Sequence, residues 1–357
     1  MRQRNISFEA LRVIFILFMV LHHLDSFKML DIPSFTESFK SFCFEGAVGV
    51  NFFFMLSGLG CVMGYKDRLE HKEITAQGFL YNRLAKLYPA YLLFLIFSVF
   101  LYRNGHFGKF KEFGLHLFMM QTFPITSPKA FGYNGVAWCV SVTMFFYLIF
   151  LVLYKISFKQ CLTYLLILIG FVLINLVYHS NDDYQFLVPL FYTNPIFRLT
   201  DFLAGMAIGL YFKEHPTISS WKLQLISIVT FIACLTIGIT SNMPWVWKWS
   251  LYYLFPCAFV LFAFYGETKF SQAIFGHKFW LTLSAASMVI FLSHQEFWNA
   301  VRMYLPESIS QLFYKYFMPW GVLAGMLCIV ALSVVINKFF VKPTYHLLIR
   351  ITNFIGN

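Results

Sequence analysis

The stretch EALRVIFILFMVLHH, residues 9–23, is apolar over most of its length, which is typical of a membrane-spanning helix. It also carries an arginine, Arg12, near one end and two histidines, His22 and His23, at the other. An ionisable side chain at the centre of a bilayer costs at least about 2.5 kcal/mol, so such residues usually face other helices or a wet cavity. The stretch predicts a membrane helix whose three polar residues need a separate explanation.

The composition of the whole chain supports a membrane protein. Hydrophobic residues make up 59% of the 357 positions, charged residues 12%, and the mean hydropathy is +0.67. Soluble domains carry about twice that fraction of charge. Phe (46) and Tyr (20) are abundant, as expected where aromatic rings face lipid and its interfaces. These values exclude a water-soluble domain and predict a polytopic membrane protein whose first partner is the lipid bilayer.

The net charge of +11 comes from short basic clusters between the apolar runs, not from one patch. That distribution is typical of topology determinants, so we expect no nucleic-acid partner. The seven cysteines lie mainly inside apolar runs and lack the spacing of metal ligands. We therefore expect neither a disulfide framework nor a metal site.

Ten segments are candidate spans, because a hydrocarbon core about 30 Å thick needs about 20 apolar residues per helix. The apolar segment 112–123 is too brief to be another, and either lies at the interface or re-enters. We find no internal repeat or soluble appendage, so residues 1–357 are expected to form a single all-α transmembrane domain. The ten spans are 8–27, 46–65, 88–102, 136–154, 161–178, 197–212, 223–241, 250–265, 281–298 and 319–341.

Ten spans place both termini on the same side of the membrane. With both inside, the cytoplasmic segments hold nearly twice as many Lys and Arg residues as the outer ones, so the positive-inside rule favours cytoplasmic termini. The first helix is predicted to begin at Ser7 as its N-cap, with Glu9 in its first turn near the positive end of the helix dipole.

Arg12 and His23 are eleven residues apart, which places them on one face of a helix and about 16 Å apart along its axis. With the N-terminus inside, Arg12 lies near the cytoplasmic end and His23 near the outer end. The residues alone leave two interpretations open. Arg12 snorkels and the histidines anchor the helix at the interface, or these groups face the protein interior and act on a substrate.

The first span has an Arg and a His separated by ten residues. Five further segments come after it along the chain in a recognisable order. They are GAVGVNFFFMLSG (46–58), FLYNRLAKLYPAY (79–91), WCVSVTMFFYL (138–148), FRLTDFLAGMAIG (197–209) and LSAASMVIFLSH (283–294). Together the six segments resemble the signature of the acyltransferase-3 family of membrane-bound O-acyltransferases. The resemblance covers roughly residues 8–294.

The resemblance implies transfer of an acyl group, by default acetyl from acetyl-CoA, to a hydroxyl of a surface polysaccharide or its lipid-linked precursor. It also implies a bacterial inner membrane as the location, with acyl-CoA as a cytoplasmic substrate and no permanently bound cofactor. The competing hypothesis is a transporter or flippase of a lipid-linked glycan, since buried Arg, His and Asp residues also suit transport. Such transporters commonly show internal repeats, which this chain lacks.

Within this resemblance His23 is the candidate general base, because neutral imidazole can take a proton from a hydroxyl near neutral pH. Arg12 is grouped with it and could contact a phosphate or the amide arm of the donor. Arg83 and Lys86, at i and i+3 just before a helix expected to begin near Tyr88, are predicted to hold the CoA phosphates. Ordinary topology charge is the alternative for that pair.

Four residues are candidates for binding the acceptor. Trp138 offers a ring for sugar stacking, or it belongs to the interfacial aromatic belt. Arg198 and Asp201 either neutralise each other or orient the acceptor or the catalytic histidine. His294 either joins the same pocket or makes an ordinary interhelical hydrogen bond.

Three positions depart from the family pattern. Thr143 stands where the family usually has a glutamate, Lys86 where it usually has Arg, and Met288 and Phe291 where it usually has tyrosines. The first matters most, because threonine cannot act as a carboxylate. Either that acid is dispensable here, Glu45 or Asp25 replaces it, or the acceptor differs.

Overall fold

The computed structural model describes residues 5–24, 37–101, 110–123, 128–304 and 320–355, and most of these residues are helical. Those ranges contain no β-strand. In chain order the α-helices are α1 Ile6–His22, α2 Glu37–Phe44, α3 Val48–Glu70, α4 Ala76–Leu101, α5 Phe110–Leu117, α6 Trp138–Leu153, α7 Phe158–Tyr178, α8 Tyr184–Leu187, α9 Leu199–Glu214, α10 Trp221–Thr240, α11 Trp245–Trp247, α12 Leu254–Ala263, α13 Lys269–Phe275, α14 Phe279–Ala285, α15 Ser287–Tyr304, α16 Trp320–Ile336 and α17 Lys342–Ile355. Short 3₁₀ turns lie at Glu45–Ala47 and Pro128–Phe131, and π-helical turns at Val188–Tyr192, Lys248–Tyr252 and Asn337–Val341.

Six helical segments of the described chain are long and apolar enough to cross a membrane. They are Glu37–Glu70, Ala76–Leu101, Phe158–Tyr178, Trp221–Thr240, Trp245–Ala263 and Trp320–Ile351. The all-helical membrane fold predicted from the sequence is therefore confirmed, whereas the count of ten spans and the cytoplasmic termini stay predictions.

The remaining predicted spans correspond to helices that are short or interrupted. Helix α1 has 17 described residues, and α6 and α9 have 16 each. The predicted span 281–298 is divided at Ala286 into α14 and α15. The segment 112–123 contains part of α5, which is tied to α4 by a hydrogen bond from the Tyr91 hydroxyl to the His116 carbonyl oxygen (2.6 Å).

Helix α1 begins at Ile6, and Asn5, not Ser7, is its N-cap, so the predicted start is wrong by two residues. The Asn5 side-chain oxygen accepts the main-chain N–H of Phe8 (3.2 Å). Its side-chain nitrogen donates to the carbonyl oxygens of Phe264 (3.1 Å) and Tyr265 (2.9 Å), which anchors the start of α1 to a distant segment. Asparagine can make both contacts because its amide has an oxygen that accepts and a separate nitrogen that donates. A serine has a single hydroxyl on a shorter side chain.

Helix α4 begins at Ala76, so the predicted start near Tyr88 is wrong by a dozen residues. Arg83 and Lys86 therefore lie within the helix, not on a segment that precedes it. The helix also continues through Pro89, which has no main-chain N–H to donate. Hydropathy detects only the apolar part of such a helix, because its first three turns carry polar side chains.

Glycines let α9 pack against α3 at very close range. A Cβ atom at Gly58 of α3 would overlap the carbonyl oxygen of Phe202, and one at Gly205 of α9 would overlap that of Met55. Small residues at such crossings are typical of helix pairs in membranes, where close backbone approach supplies the packing energy. The contact fixes α9 and its first turn against the middle of α3.

Glycines also hold the end of α1 against the start of α3. A Cβ at Gly46 would overlap the carbonyl oxygen of Phe18, and one at Gly49 would crowd that of Phe15. Because the later glycine meets the earlier phenylalanine, the two helices run antiparallel. Residues late in α3 therefore lie toward the start of α1, and the histidine end of α1 lies at the start of α3.

Candidate active site

Two histidines from distant parts of the chain meet at the end of α1. The Nδ1 atom of His23 lies 3.1 Å from the Nε2 atom of His294 on α15, and the ring centroids are 4.9 Å apart. His294 is fully buried, whereas His23 keeps part of its surface exposed. The structure thus brings together two of the residues that the sequence singled out.

Carbonyl groups of their own helices hold both rings. His23 Nδ1 lies 3.0 Å from the carbonyl oxygen of Met19, and His294 Nδ1 lies 2.7 Å from that of Phe291 and 3.3 Å from that of Ile290. Since each contact runs to a carbonyl of the preceding turn, the rings are oriented by the backbone as well as by each other.

His22 is held separately from His23. Its Nδ1 atom lies 2.7 Å from the carbonyl oxygen of Phe44, and its ring meets the Trp249 ring edge-on at a centroid distance of 5.4 Å. The two neighbouring histidines therefore have different surroundings, as their separation of about 100° around a helix predicts.

Aromatic rings extend from His22 into the protein. The Trp249 ring lies 4.9 Å from that of Tyr192, which lies 4.7 Å from that of Trp138. Trp138 is only 2% exposed, and the sugar stacking proposed for it stays a prediction. The buried indole nitrogen of Trp249 has no hydrogen-bond partner among the described residues.

Arg198 and Asp201 form the ion pair that their spacing predicted. Arg198 Nη2 lies 2.8 Å from Asp201 Oδ2, and both side chains are at most 1% exposed. Asn51 of α3 donates to Asp201 (3.1 Å) and to the main-chain carbonyl oxygen of Trp249 (3.2 Å), to which Arg198 also donates. The pair is neutralised within the protein and joins α3, α9 and the π-helical turn at Lys248–Tyr252.

A second buried ionic cluster was not found from the sequence. Lys248 Nζ donates to Glu45 (2.7 Å) and to the carbonyl oxygen of Gly238, and the Tyr253 hydroxyl donates to the other oxygen of Glu45 (2.6 Å). Lys248 is a lone basic residue in an apolar stretch of the sequence. It forms a pair over a separation of 203 residues, which no local spacing reveals.

Neither of the two residues named as replacements for the family glutamate is shown in that role by the described residues. Both oxygens of Glu45 are engaged as described, and Asp25 lies outside the described residues. Thr143 itself donates to the carbonyl oxygen of Cys139 in its own helix (2.7 Å). The side chain at this position is satisfied locally instead of reaching across to another helix.

Arg12 forms a small polar group at the other end of α1. Its Nη1 atom lies 2.8 Å from Glu9 and 3.1 Å from the Ser284 hydroxyl, and that hydroxyl also donates to Glu9. The Arg12 side chain is 30% exposed. Its role toward the acyl donor stays a prediction.

Arg83 is enclosed by aromatic rings and a thiol. Three ring centroids lie 4.3, 5.6 and 5.1 Å from its guanidinium carbon, those of Tyr65, Phe79 and Tyr147. Its Nη2 atom lies 3.7 Å from the sulfur of Cys61. Among the described residues Arg83 has no carboxylate in ion-pair range, and its Nε–H is buried without a partner. Lys86, one turn further along α4, is exposed.

Arg83 and His23 lie toward opposite ends of α1. Gly49 meets the middle of α1, and Cys61 lies about 18 Å further along α3, in the direction of the start of α1. The guanidinium that contacts Cys61 is therefore displaced toward the Arg12 end, away from the imidazoles. An unpaired cation and a candidate base are thus separated along the bundle.

A family model described as an acyltransferase domain, that of the acyltransferase-3 family, matches residues 5–338. The match covers nearly the whole chain and includes both histidines, Arg83 and the Arg198–Asp201 pair. No curated protein and no solved structure matches the chain. From the family match and the apolar helices, the chain belongs to the acyltransferase-3 family and is a multi-pass membrane acyltransferase.

Proposed function

We propose that this protein transfers an acyl group, acetyl in the first instance, from cytoplasmic acyl-CoA to a hydroxyl of a surface polysaccharide or its lipid-linked precursor. We place it in a bacterial inner membrane, with the Arg83 end of the bundle at the cytoplasm. The observation that carries the proposal is the separation of two groups along the direction of α1. The partly exposed imidazole of His23 lies at one end, and Arg83, which pairs with no carboxylate of the described residues, lies toward the other.

In the proposed reaction His23 carries out both proton transfers. The imidazole removes the proton of the acceptor hydroxyl, and that oxygen attacks the carbonyl carbon of the thioester. The carbon–sulfur bond then breaks, CoA leaves as a thiolate, and the imidazolium returns the proton to the sulfur. The products are an ester and CoA, so the base is regenerated in each cycle.

Arg83 and Lys86 are the proposed binding site for the donor phosphates. A guanidinium in a low-dielectric site is costly unless an anion neutralises it, and its planar donors match the geometry of phosphate oxygens. Lys86 adds a second cation one turn away, at the exposed side of the same helix. The arm of CoA would then extend between the helices toward His23, with Arg12 beside its path.

The aromatic residues next to His22 are the proposed acceptor site. The rings of Trp249 and Tyr192 are the flat apolar surfaces on which a sugar ring would pack, and because they are only 5% and 7% exposed, neighbouring side chains must move to admit it. The buried indole N–H of Trp249, which has no partner among the described residues, is the donor that an acceptor oxygen would then meet. Trp138 and the Arg198–Asp201 pair support this site from behind, since Trp138 packs on Tyr192 and Arg198 bonds the Trp249 carbonyl.

The test is an acyl-transfer assay on the purified protein in lipid, with labelled acetyl-CoA and a glycan acceptor, scored as labelled ester and released CoA. His23→Ala is expected to lower kcat by about 10²- to 10⁴-fold, the usual contribution of a general base. His346→Ala, which removes an exposed histidine, is the matched control. Full activity in His23→Ala would overturn the mechanism, and acyl-independent glycan movement would favour a flippase.

A further inference from the structure

The hydrogen bonds at His294 determine which of its ring nitrogens carries the proton. A carbonyl oxygen can only accept, so Nδ1 of His294, 2.7 Å from the Phe291 carbonyl, must be the N–H donor. In a neutral imidazole the other nitrogen then carries the lone pair. The Nε2 atom of His294 is therefore an acceptor, and it faces His23 at 3.1 Å.

The same reasoning extends to His23. Its Nδ1 atom lies between two acceptors, the Nε2 lone pair of His294 (3.1 Å) and the carbonyl oxygen of Met19 (3.0 Å), so Nδ1 carries the proton. The lone pair of a neutral His23 then lies on Nε2, which makes no hydrogen bond within the part of the chain that the structure describes. The Met19 carbonyl also receives the His23 main-chain N–H (3.3 Å), so it is a shared acceptor, whereas His294 is an acceptor from another helix.

We infer that His294 is a positioning residue: it holds His23 in the tautomer and orientation in which Nε2 is the atom that takes the proton of the acceptor hydroxyl. This inference rests on the proposed function and assigns the reacting nitrogen. It places a histidine in the role that a carboxylate fills in many histidine-dependent acyl transfers.

His294 also favours the charged form of His23 during the reaction. When Nε2 takes the proton, the Nδ1–H of the imidazolium becomes a charge-assisted donor to His294, and such hydrogen bonds are about twice as strong as neutral ones. The proton does not pass through His294, because its own Nδ1–H is held by a backbone carbonyl that cannot be protonated in exchange. The proton therefore stays on His23 until the departing CoA sulfur accepts it.

Two substitutions separate positioning from packing. In His294→Gln the side-chain amide extends to where Nε2 lies, so its oxygen can accept from His23. In His294→Asn the amide reaches only to where Nδ1 lies, so it can bond the Phe291 carbonyl but cannot contact His23. Both variants preserve a polar residue within α15.

Kinetics per unit of folded protein, scored by gel filtration in detergent, give the test. We expect His294→Asn to lower kcat by about 10- to 100-fold with an unchanged KM for acyl-CoA, and His294→Gln to stay within a few-fold of the parent protein. Equal kcat values in the two variants, or a loss seen only as KM, would overturn the inference. His23→Ala is measured alongside: if it is inactive while His294→Asn is fully active, the inference fails and the proposed function stands.

Discussion

Arg198 and Arg83 show two ways of enclosing an arginine in a membrane protein. Arg198 is 1% exposed and lies 2.8 Å from one oxygen of a carboxylate, while Asn51 donates to the other oxygen. Arg83 faces three aromatic rings and a thiol, and no carboxylate of the described chain pairs with it. The first charge is balanced by the carboxylate of Asp201, whereas no carboxylate of the described residues balances the second.

The difference between the two arginines indicates which one stabilises the fold and which one can bind a ligand. A pair that neutralises itself stabilises a packing arrangement and leaves little charge for a ligand. Aromatic faces attract a cation without cancelling its charge, so Arg83 remains able to bind an anion. Removal of each arginine should therefore be detected by different measurements.

The largest expected effect is on stability, from Arg198→Gln or Asp201→Asn. Each leaves one buried charge unpaired, which typically costs 3–5 kcal/mol. Thermal unfolding of the solubilised protein measures the loss. The double variant should be more stable than either single variant, because it leaves no unpaired charge. A double variant that loses the sum of both single effects would show that the two residues do not act as a pair.

A smaller effect, on donor binding and not on stability, is expected from Arg83→Gln. The KM for acyl-CoA should rise by about 10- to 100-fold, as for one lost hydrogen bond to a charged group, with thermal stability close to the parent. Arg68→Gln is the matched control, since Arg68 lies 5.5 Å from the same Tyr65 ring but is 46% exposed and near Glu73. Equal effects of the two substitutions would show that Arg83 is not a specific binding site for the donor.

The smallest effect is expected from Glu9→Gln, which tests an arginine of intermediate exposure. Arg12 pairs with Glu9 where both side chains retain solvent contact, 30% and 17% exposed, so the pair should contribute less than about 1 kcal/mol. A loss of thermal stability as large as that of Asp201→Asn would place Arg12 with Arg198 as a structural residue.

The sequence predicted the helical class but not the helix ends. Composition and apolar runs suffice for the former, because lipid forces the backbone to satisfy itself within helices. The start of α4 was misplaced because Arg83 and Lys86 lower the local hydropathy while leaving the helix intact. The division at Ala286 depends on packing between helices, which a sliding window along one segment cannot detect.

The candidate site, like the fold, could be predicted only in part from the sequence. The Arg198–Asp201 pair followed from local spacing, since residues three apart on a helix are neighbours. The contact of His23 with His294 joins residues separated by 271 positions, so motifs could nominate both but could not show them touching. The pairing of Lys248 with Glu45 could not be predicted from the sequence. The hydrogen bonds to the carbonyl of Trp249 could not be predicted either, because nothing near these residues in the sequence indicates their partners.

Trp249 contacts both the buried ion pair and a histidine, through its main chain and its side chain respectively. Arg198 and Asn51 donate hydrogen bonds to its main-chain carbonyl oxygen, while its indole ring contacts His22 edge-on. If the proposed acceptor site is correct, substitutions around the ion pair that preserve folding should therefore tilt the indole and change the preference for the acceptor without direct contact with His23. Under the proposed function, preference for the acceptor would then change separately from preference for the donor, because Arg83, in the proposed donor site, lies toward the far end of the bundle.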